Sequence, residues 1–290
     1  MQIDAHQHFW RLDRGDYGWL TPEAGPIFRD FLPRDLEPLL ARHFIGATIL
    51  VQAAPTVAET EFLLSLAAAT PFVAGVVGWV DLTAADAALQ IARLAANSLL
   101  VGLRPMVQDT ADDEWLLRPC LQPAIAAMVR HGLVFDALVL PRHLPRLLVF
   151  LDRYPELRVV LDHGAKPEIR EARLDPWRAD VAAVAARPAT WCKLSGLVTE
   201  AGAAWTLDDL RPSVAHLLAV FGPERLLWGS DWPVVERAGG YDAWRAATAG
   251  LLASLPETER QAVLGGNAKR AYLGRRGRPS EMLNPAPPRR

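Results

Sequence analysis

Ile3-Asp4-Ala5-His6-Gln7-His8 is the stretch that decides the fold: a short apolar run, read as a β-strand, that ends on polar groups. Gly229-Ser230-Asp231-Trp232-Pro233 has the same form far along the chain, and between the two lie further runs that end at Gln52, Arg104, Asp136 and His163. Counted together, apolar and β-branched runs recur at about 2–6, 47–53, 73–80, 99–104, 132–137, 157–163, 190–196 and 225–231. They are nearly continuous in apolar character, as strands buried on both faces are. Helical patterns separate most of them. Thr56-Val57-Ala58-Glu59 reads as a capping box ahead of Phe62, Leu63 and Leu66. Leu144, Leu147, Leu148 and Leu151 keep one helical face, as do Leu210, Val214, Leu217 and Phe221 before Gly222-Pro223. Strand and helix in alternation predict an α/β protein, a single-domain (β/α)8 TIM barrel over residues 1–274.

Two segments break the rhythm. Residues 9–32 form a long connection rich in aromatics, which predicts either a pocket roof or a packed excursion over the barrel wall. Residues 275–290 are rich in Pro and Arg and predict a flexible tail. A net charge of -2 offers no phosphate-tracking surface, so nucleic acid is not an expected partner. No apolar run is long enough to span a membrane, and the N-terminus lacks the pattern of a secretory signal. Cys120 and Cys192 are too few for a disulfide framework or a cysteine zinc site, and the expected compartment is the cytoplasm.

On a strand, His6 and His8 point to one face, so their imidazoles can share a metal ion or a substrate. A carboxylate at Asp231 would complete such a site or take a proton from water. Each has a plainer reading: a satisfied strand-end histidine, or an aspartate that caps a turn. His163 can polarise a carbonyl oxygen. Arg104, Lys166 and Lys193 are cations at or near strand ends. A lysine inside an apolar strand costs several kcal/mol unless paired, so Lys193 needs a partner or a ligand. Gln52 and Trp232 stand at the same rim. His43, His131, His143 and His216 fall in helical patterns and read as surface or packing residues. No glycine-rich nucleotide motif and no Gly-x-Ser-x-Gly elbow occurs.

Ile3 to Trp10, Gly102-Leu103-Arg104-Pro105, Leu161 to Pro167, Lys193 to Leu197, Gly229 to Val234 and Gly266-Asn267-Ala268 together resemble the amidohydrolase superfamily (family 2), in order and over almost the whole chain. They are most similar to its sugar-lactonase branch. The resemblance implies that His6 and His8 are the metal-ligand pair of the first strand, His163 the histidine of the sixth and Asp231 the aspartate of the eighth. Members with two metals use a lysine or glutamate after the fourth strand and a histidine after the fifth, and here those strand ends offer Arg104 and Asp136. The implied cofactor is therefore one divalent ion, zinc before others, bound by His6, His8 and Asp231, in a branch whose members differ in needing metal at all.

The implied reaction is ring opening of an L-fucono- or L-rhamnono-type lactone. Asp231 and His163 would be catalytic, and Gln52, Arg104, Lys166, Lys193 and Trp232 would bind substrate. Dicarboxylate lactone hydrolysis and non-oxidative decarboxylation remain open, because the same cations would serve. So does a non-catalytic sugar-binding barrel. The expected partner is a small-molecule lactone, and an oligomer is compatible with the sequence.

Overall fold

A computed structural model describes residues 1–274; the expected 275–290 tail lies outside the described residues. Eight parallel strands follow one another in sequence order: β1 Gln2–Gln7, β2 Ile45–Val51, β3 Val73–Gly78, β4 Leu100–Leu103, β5 Val134–Ala137, β6 Val159–Leu161, β7 Thr190–Leu194 and β8 Leu226–Trp228. The ring closes just beyond the strand ends. Gln7 bridges Trp232, His8 N donates to Trp232 O at 2.7 Å, and Asp231 N donates to His6 O at 2.8 Å. The seam thus ties the two ends of the chain's chemistry to each other. Helices fill the intervals and bury their apolar faces against the outside of the barrel, with Leu144, Leu147 and Leu151 on one and Leu210, Val214, Leu217 and Phe221 on another.

Several strands stop short of the apolar runs that predicted them. The runs to 163, 196 and 231 become strands ending at Leu161, Leu194 and Trp228, so His163, Ser195 and Asp231 stand on turns above the sheet. The reading at Thr56 also needs amending. Thr56 Oγ1 accepts from Glu59 N at 3.0 Å, but Glu59 does not reach back to complete the box; its carboxyl accepts from Ala53 N at 2.8 Å and is wholly buried.

The barrel interior is layered. Ile3, Ala5, Ala47, Ile49, Val51, Val77, Val101, Val134, Val160 and Leu227 form an apolar plug. Ala268, Ala271 and Tyr272 of the C-terminal turns Ala262–Gly266 and Lys269–Leu273 join that plug and seal its end. Above it lies a layer of buried charge: Asp136, Asp162 and Lys193, each with no exposure. Above that the interior opens into a cavity. Between Asp4 and Gln7, β1 spends three residue steps where β2 spends two from Thr48 to Leu50. This bulge reverses the strand's alternation: Ile3 and Ala5 face the plug before it, and His6 and His8 face the same interior after it.

Residues 9–32 are a packed excursion that also supplies one pocket wall. Trp10, Tyr17, Leu20, Ile27 and Phe31 are buried, whereas Trp19 is 41% exposed. Trp19 is held by an indole N–H bond to Ala53 O at 2.8 Å and an edge contact with Trp10 at 5.4 Å. Among the described residues no helix is long and apolar enough to cross a membrane.

Candidate active site

Asp231 sits at the barrel mouth in the left-handed conformation (φ 59°), which turns its carboxylate inward over the end of β1. Asp231 Oδ1 lies 3.3 Å from His8 Nε2, 3.6 Å from His6 Nε2 and 3.9 Å from His163 Nε2. Burial alone would raise the pKa of this carboxyl. His163, a hydrogen bond with His8 and the nearby His6 outweigh burial and hold it below the usual carboxylate range. Burial lowers His163 to about 4 and, together with Lys193, takes His6 well below its ordinary value. Near neutral pH Asp231 is therefore a carboxylate beside the neutral rings of His6 and His163.

His163 reaches this position through an unusual turn. Residues 163–166 all have positive φ, at 54°, 59°, 61° and 51°, and three of the four are not glycine. Each such residue costs roughly 1–2 kcal/mol, strain of the kind that collects at functional sites. The turn closes with Lys166 N donating to His163 O at 2.9 Å and aims His163 and Lys166 into the same cavity. Ser195 Oγ, at 2.8 Å from His163 Nδ1, fixes the ring. Gly196 must be glycine: it has φ 65°, and a Cβ there would stand 2.6 Å from His163 Nδ1.

His8 Nδ1 lies 2.8 Å from the carbonyl oxygen of Val51. A carbonyl only accepts, so Nδ1 carries a proton, and Nε2 faces His6 Nε2, 3.2 Å away, and Asp231. His6 is flanked by two cations, with Lys193 Nζ 3.1 Å from Nδ1 and Arg104 Nη1 3.3 Å from Nε2. Asp162 stands beside both: its Oδ1 is 2.9 Å from Lys193 Nζ and its Oδ2 is 3.3 Å from Arg104 Nη1. Burial would raise Asp162, but Lys193, His6 and Arg104 keep it well below the usual range. On the outer side of β1, Asp4 accepts from Ser230 N at 2.8 Å and Tyr241 Oη at 3.2 Å, and burial pushes it up to about 6.

The cavity over these groups is about 300 Å³. Its wall combines His8, His163 and Asp231 with Arg104, Lys166 and Arg237, and with Trp19, Met106, Gln108, Asp109 and Leu138. Larger hollows beside Asp242 and beside Arg225 contain none of this chemistry.

The structure brings His6, His8, Arg104, His163, Lys166 and Asp231 together. It corrects three expected substrate contacts. Lys193 is fully buried beneath His6, with Nζ 2.5 Å from Asp136 Oδ2, so it supports the site from below. Gln52 is also fully buried: its amide donates to Arg104 O at 2.8 Å, and its backbone carbonyl accepts from the Arg104 guanidinium. Trp232 is 2% exposed and packs edge-on against Phe9 and Phe31 at 6.1 and 5.1 Å, outside the cavity wall. The compact donor set also differs from the one expected. His6, His163 and Asp231 offer ligand atoms within 4.8 Å of one another, with His8 adjacent. Sequence reading missed Asp162, Gln108, Asp109 and Arg237. Their only signal was a position one to several residues beyond a strand, which many loop residues share.

These donors fit a divalent ion. His6 Nε2 and His163 Nε2 converge on Asp231 Oδ1, a nitrogen and oxygen donor set of the kind a divalent ion takes.

The chain matches the amidohydrolase family over residues 3–273. It is 50% identical over 275 residues to an L-fucono-1,5-lactonase of Burkholderia ambifaria, covering 93% of this chain and 95% of that protein. An L-fucono-1,5-lactonase of Burkholderia multivorans is 39% identical over 286 residues, covering 94% and 96%. A crystal structure of a Burkholderia multivorans amidohydrolase with bound zinc superposes with a TM-score of 0.89 at 39% identity, covering 94% of this chain and 99% of that one.

Proposed function

The chain belongs to the amidohydrolase family, and from that premise we propose that it opens the ring of a sugar-acid lactone, of the L-fucono-1,5-lactone type, by attack of water on the ester carbonyl. One observation carries the reading. An ionised, buried carboxylate, Asp231, stands beside the neutral rings of His6 and His163 at the floor of a polar cavity, in a chain half identical to an L-fucono-1,5-lactonase over nearly its full length.

Asp231 takes a proton from the attacking water as the water oxygen bonds to the lactone carbonyl carbon. The carbonyl oxygen becomes an oxyanion, which His163 and Arg104 face from the cavity wall. The ring C–O bond then breaks, and Asp231 returns the proton to the departing alkoxide. Ser195 keeps the His163 ring in place, and Gln52 and Asp162 keep the Arg104 guanidinium in place. Lys166, whose Nζ is 3.6 Å from Glu200 Oε1, and Arg237 meet ring hydroxyls at the rim. Trp19 offers its exposed indole face to the sugar.

His6, His163 and Asp231 would hold a divalent ion, zinc by analogy with the zinc-bound relative, with His8 beside them. When bound, such an ion polarises the carbonyl and acidifies water. The cytoplasmic setting expected from the sequence goes with a substrate formed by sugar oxidation.

The test is acid release from a panel of neutral aldono-1,4- and 1,5-lactones beside dicarboxylated lactones, with and without a chelator. Rapid opening of L-fucono-type lactones is expected. Silence on every neutral lactone with turnover of the dicarboxylates would overturn the substrate class, and ligand binding without turnover would leave a sugar-binding barrel.

A further inference from the structure

Tyr272 belongs to the apolar seal at the closed end of the barrel, yet it ends in a hydroxyl. An apolar seal needs only the ring. The hydroxyl is buried and lies 2.7 and 2.9 Å from the two oxygens of Asp136. Asp136 Oδ2 is 2.5 Å from Lys193 Nζ, and Lys193 Nζ is 3.1 Å from His6 Nδ1 and 2.9 Å from Asp162 Oδ1. Three contacts therefore lead from the C-terminal segment, through the charged layer, to a histidine of the site.

We propose that Tyr272 is a positioning residue: its hydroxyl fixes Asp136, Asp136 fixes the Lys193 ammonium, and the ammonium fixes the ring of His6. An ammonium has three protons, and Lys193 has three acceptors in reach: Asp136, Asp162 and His6 Nδ1. How it divides itself among them depends on how firmly each acceptor is held. Without the phenol, Asp136 relies on Lys193 alone, and the ammonium is freed to follow its two carboxylates at the expense of His6. When Lys193 no longer donates to Nδ1, the His6 ring loses the contact that sets its angle between Asp162 and Asp231.

The segment that carries Tyr272 is seated for this task. Asn267 Nδ2 donates to Pro223 O at 2.7 Å and Leu226 O at 2.6 Å, tying the segment to the start of β8. Gly265 presses against β1, where a Cβ would lie 2.5 Å from Met1 O and 2.9 Å from Ile3 N. The Gly266-Asn267-Ala268 motif, to which the site itself assigns no role, thereby sets the depth to which Tyr272 enters the barrel.

The inference rests on the lactonase reading only for its kinetic arm. Tyr272→Phe keeps the ring and removes the hydroxyl. Its kcat on the best lactone, its KM, its melting temperature and the ¹⁵N shifts of His6 are compared with wild type. The expected result is a folded protein with kcat down roughly tenfold, unchanged KM and displaced His6 nitrogen signals. A lower melting temperature with kcat, KM and His6 signals as in wild type would reduce Tyr272 to a packing residue and overturn the proposal. If Tyr272→Phe does not fold, 3-fluorotyrosine placed at position 272 alone makes the hydroxyl a stronger donor at the cost of one small ring substituent and carries the same readouts. A wild-type protein inert toward all lactones would sink the lactonase reading, while the nitrogen shifts would still decide this one.

Discussion

The two ends of the barrel interior are built from the same strands and obey different rules. At the closed end Ile3, Val101, Val160 and Leu227 meet at close-packed, fully apolar contacts. At the open end the continuations of those strands carry His6, Arg104, Asp162, His163 and Asp231, with left-handed backbone and charges that satisfy one another only as a group. The first end is specified by volume and hydrophobicity and tolerates similar residues. The second is specified by geometry. The charge buried in the interior is gathered above the plug, and the plug, with the helices outside, supplies the burial that stabilises the whole.

The largest effect should come from Asp231→Asn. Asparagine tolerates the left-handed backbone, so the fold should survive while kcat falls by about a hundred- to ten-thousandfold; near-normal turnover would end the division of labour just drawn. Ile3→Ala, on the same strand as His6 but at the closed end, should do the reverse. Chemical denaturation should show a loss of about 2–5 kcal/mol, with kcat per folded molecule unchanged. Loss of kcat without loss of stability would show that the ends are not separable. Trp19→Ala should raise KM by up to roughly tenfold and leave kcat near wild type, because the indole belongs to the cavity wall and not to the reacting groups.

The smallest effect should come from Glu59→Gln, under the 9–32 excursion. Burial raises Glu59 from 4.5 to about 8, opposed by the Ala53 and Ala54 amides and Arg104. Its neutral form is therefore the one the fold prefers. The unfolded chain releases this proton from pH 4.5 upward and the folded chain only near 8, so the contribution is full below 4.5 and lost as pH rises through 8. Above pH 8 the glutamine variant should melt a few degrees higher than wild type, with the gap closing toward acid. A pH-independent gap would show that Glu59 is ionised in the fold.

Much of this was legible in the sequence, because apolar runs alternating with helical faces leave few arrangements other than a barrel, and polar residues ending such runs must gather at its rim. His6, His163 and Asp231 could be singled out on that ground. Three things were beyond it. A bulge leaves no mark in composition, yet it decides which way His6 and His8 point. The left-handed turn at 163–166 contains a single glycine, so its handedness is set by what surrounds it. Lys193, Gln52 and Trp232 have the chemistry of substrate contacts, and only depth shows that the first two support the site from beneath and the third is wall packing. Asp162 was hidden for the same reason: beside His163 in sequence, it lies a layer below it in space.

The turn at 163–166 and Gly196 set a limit on how the enzyme's repertoire can change. His163 is pressed against a residue that admits no side chain and held by a backbone path that few sequences would follow. That half of the rim is frozen, and variation there extinguishes activity before it redirects it. The flanking segments, Met106 to Asp109 and Val234 to Arg237, sit on short turns free of this left-handed path. Altered substrate preference, whether reached by natural drift or by directed libraries, should therefore be sought in those eight positions, with the His163 wall left as it is.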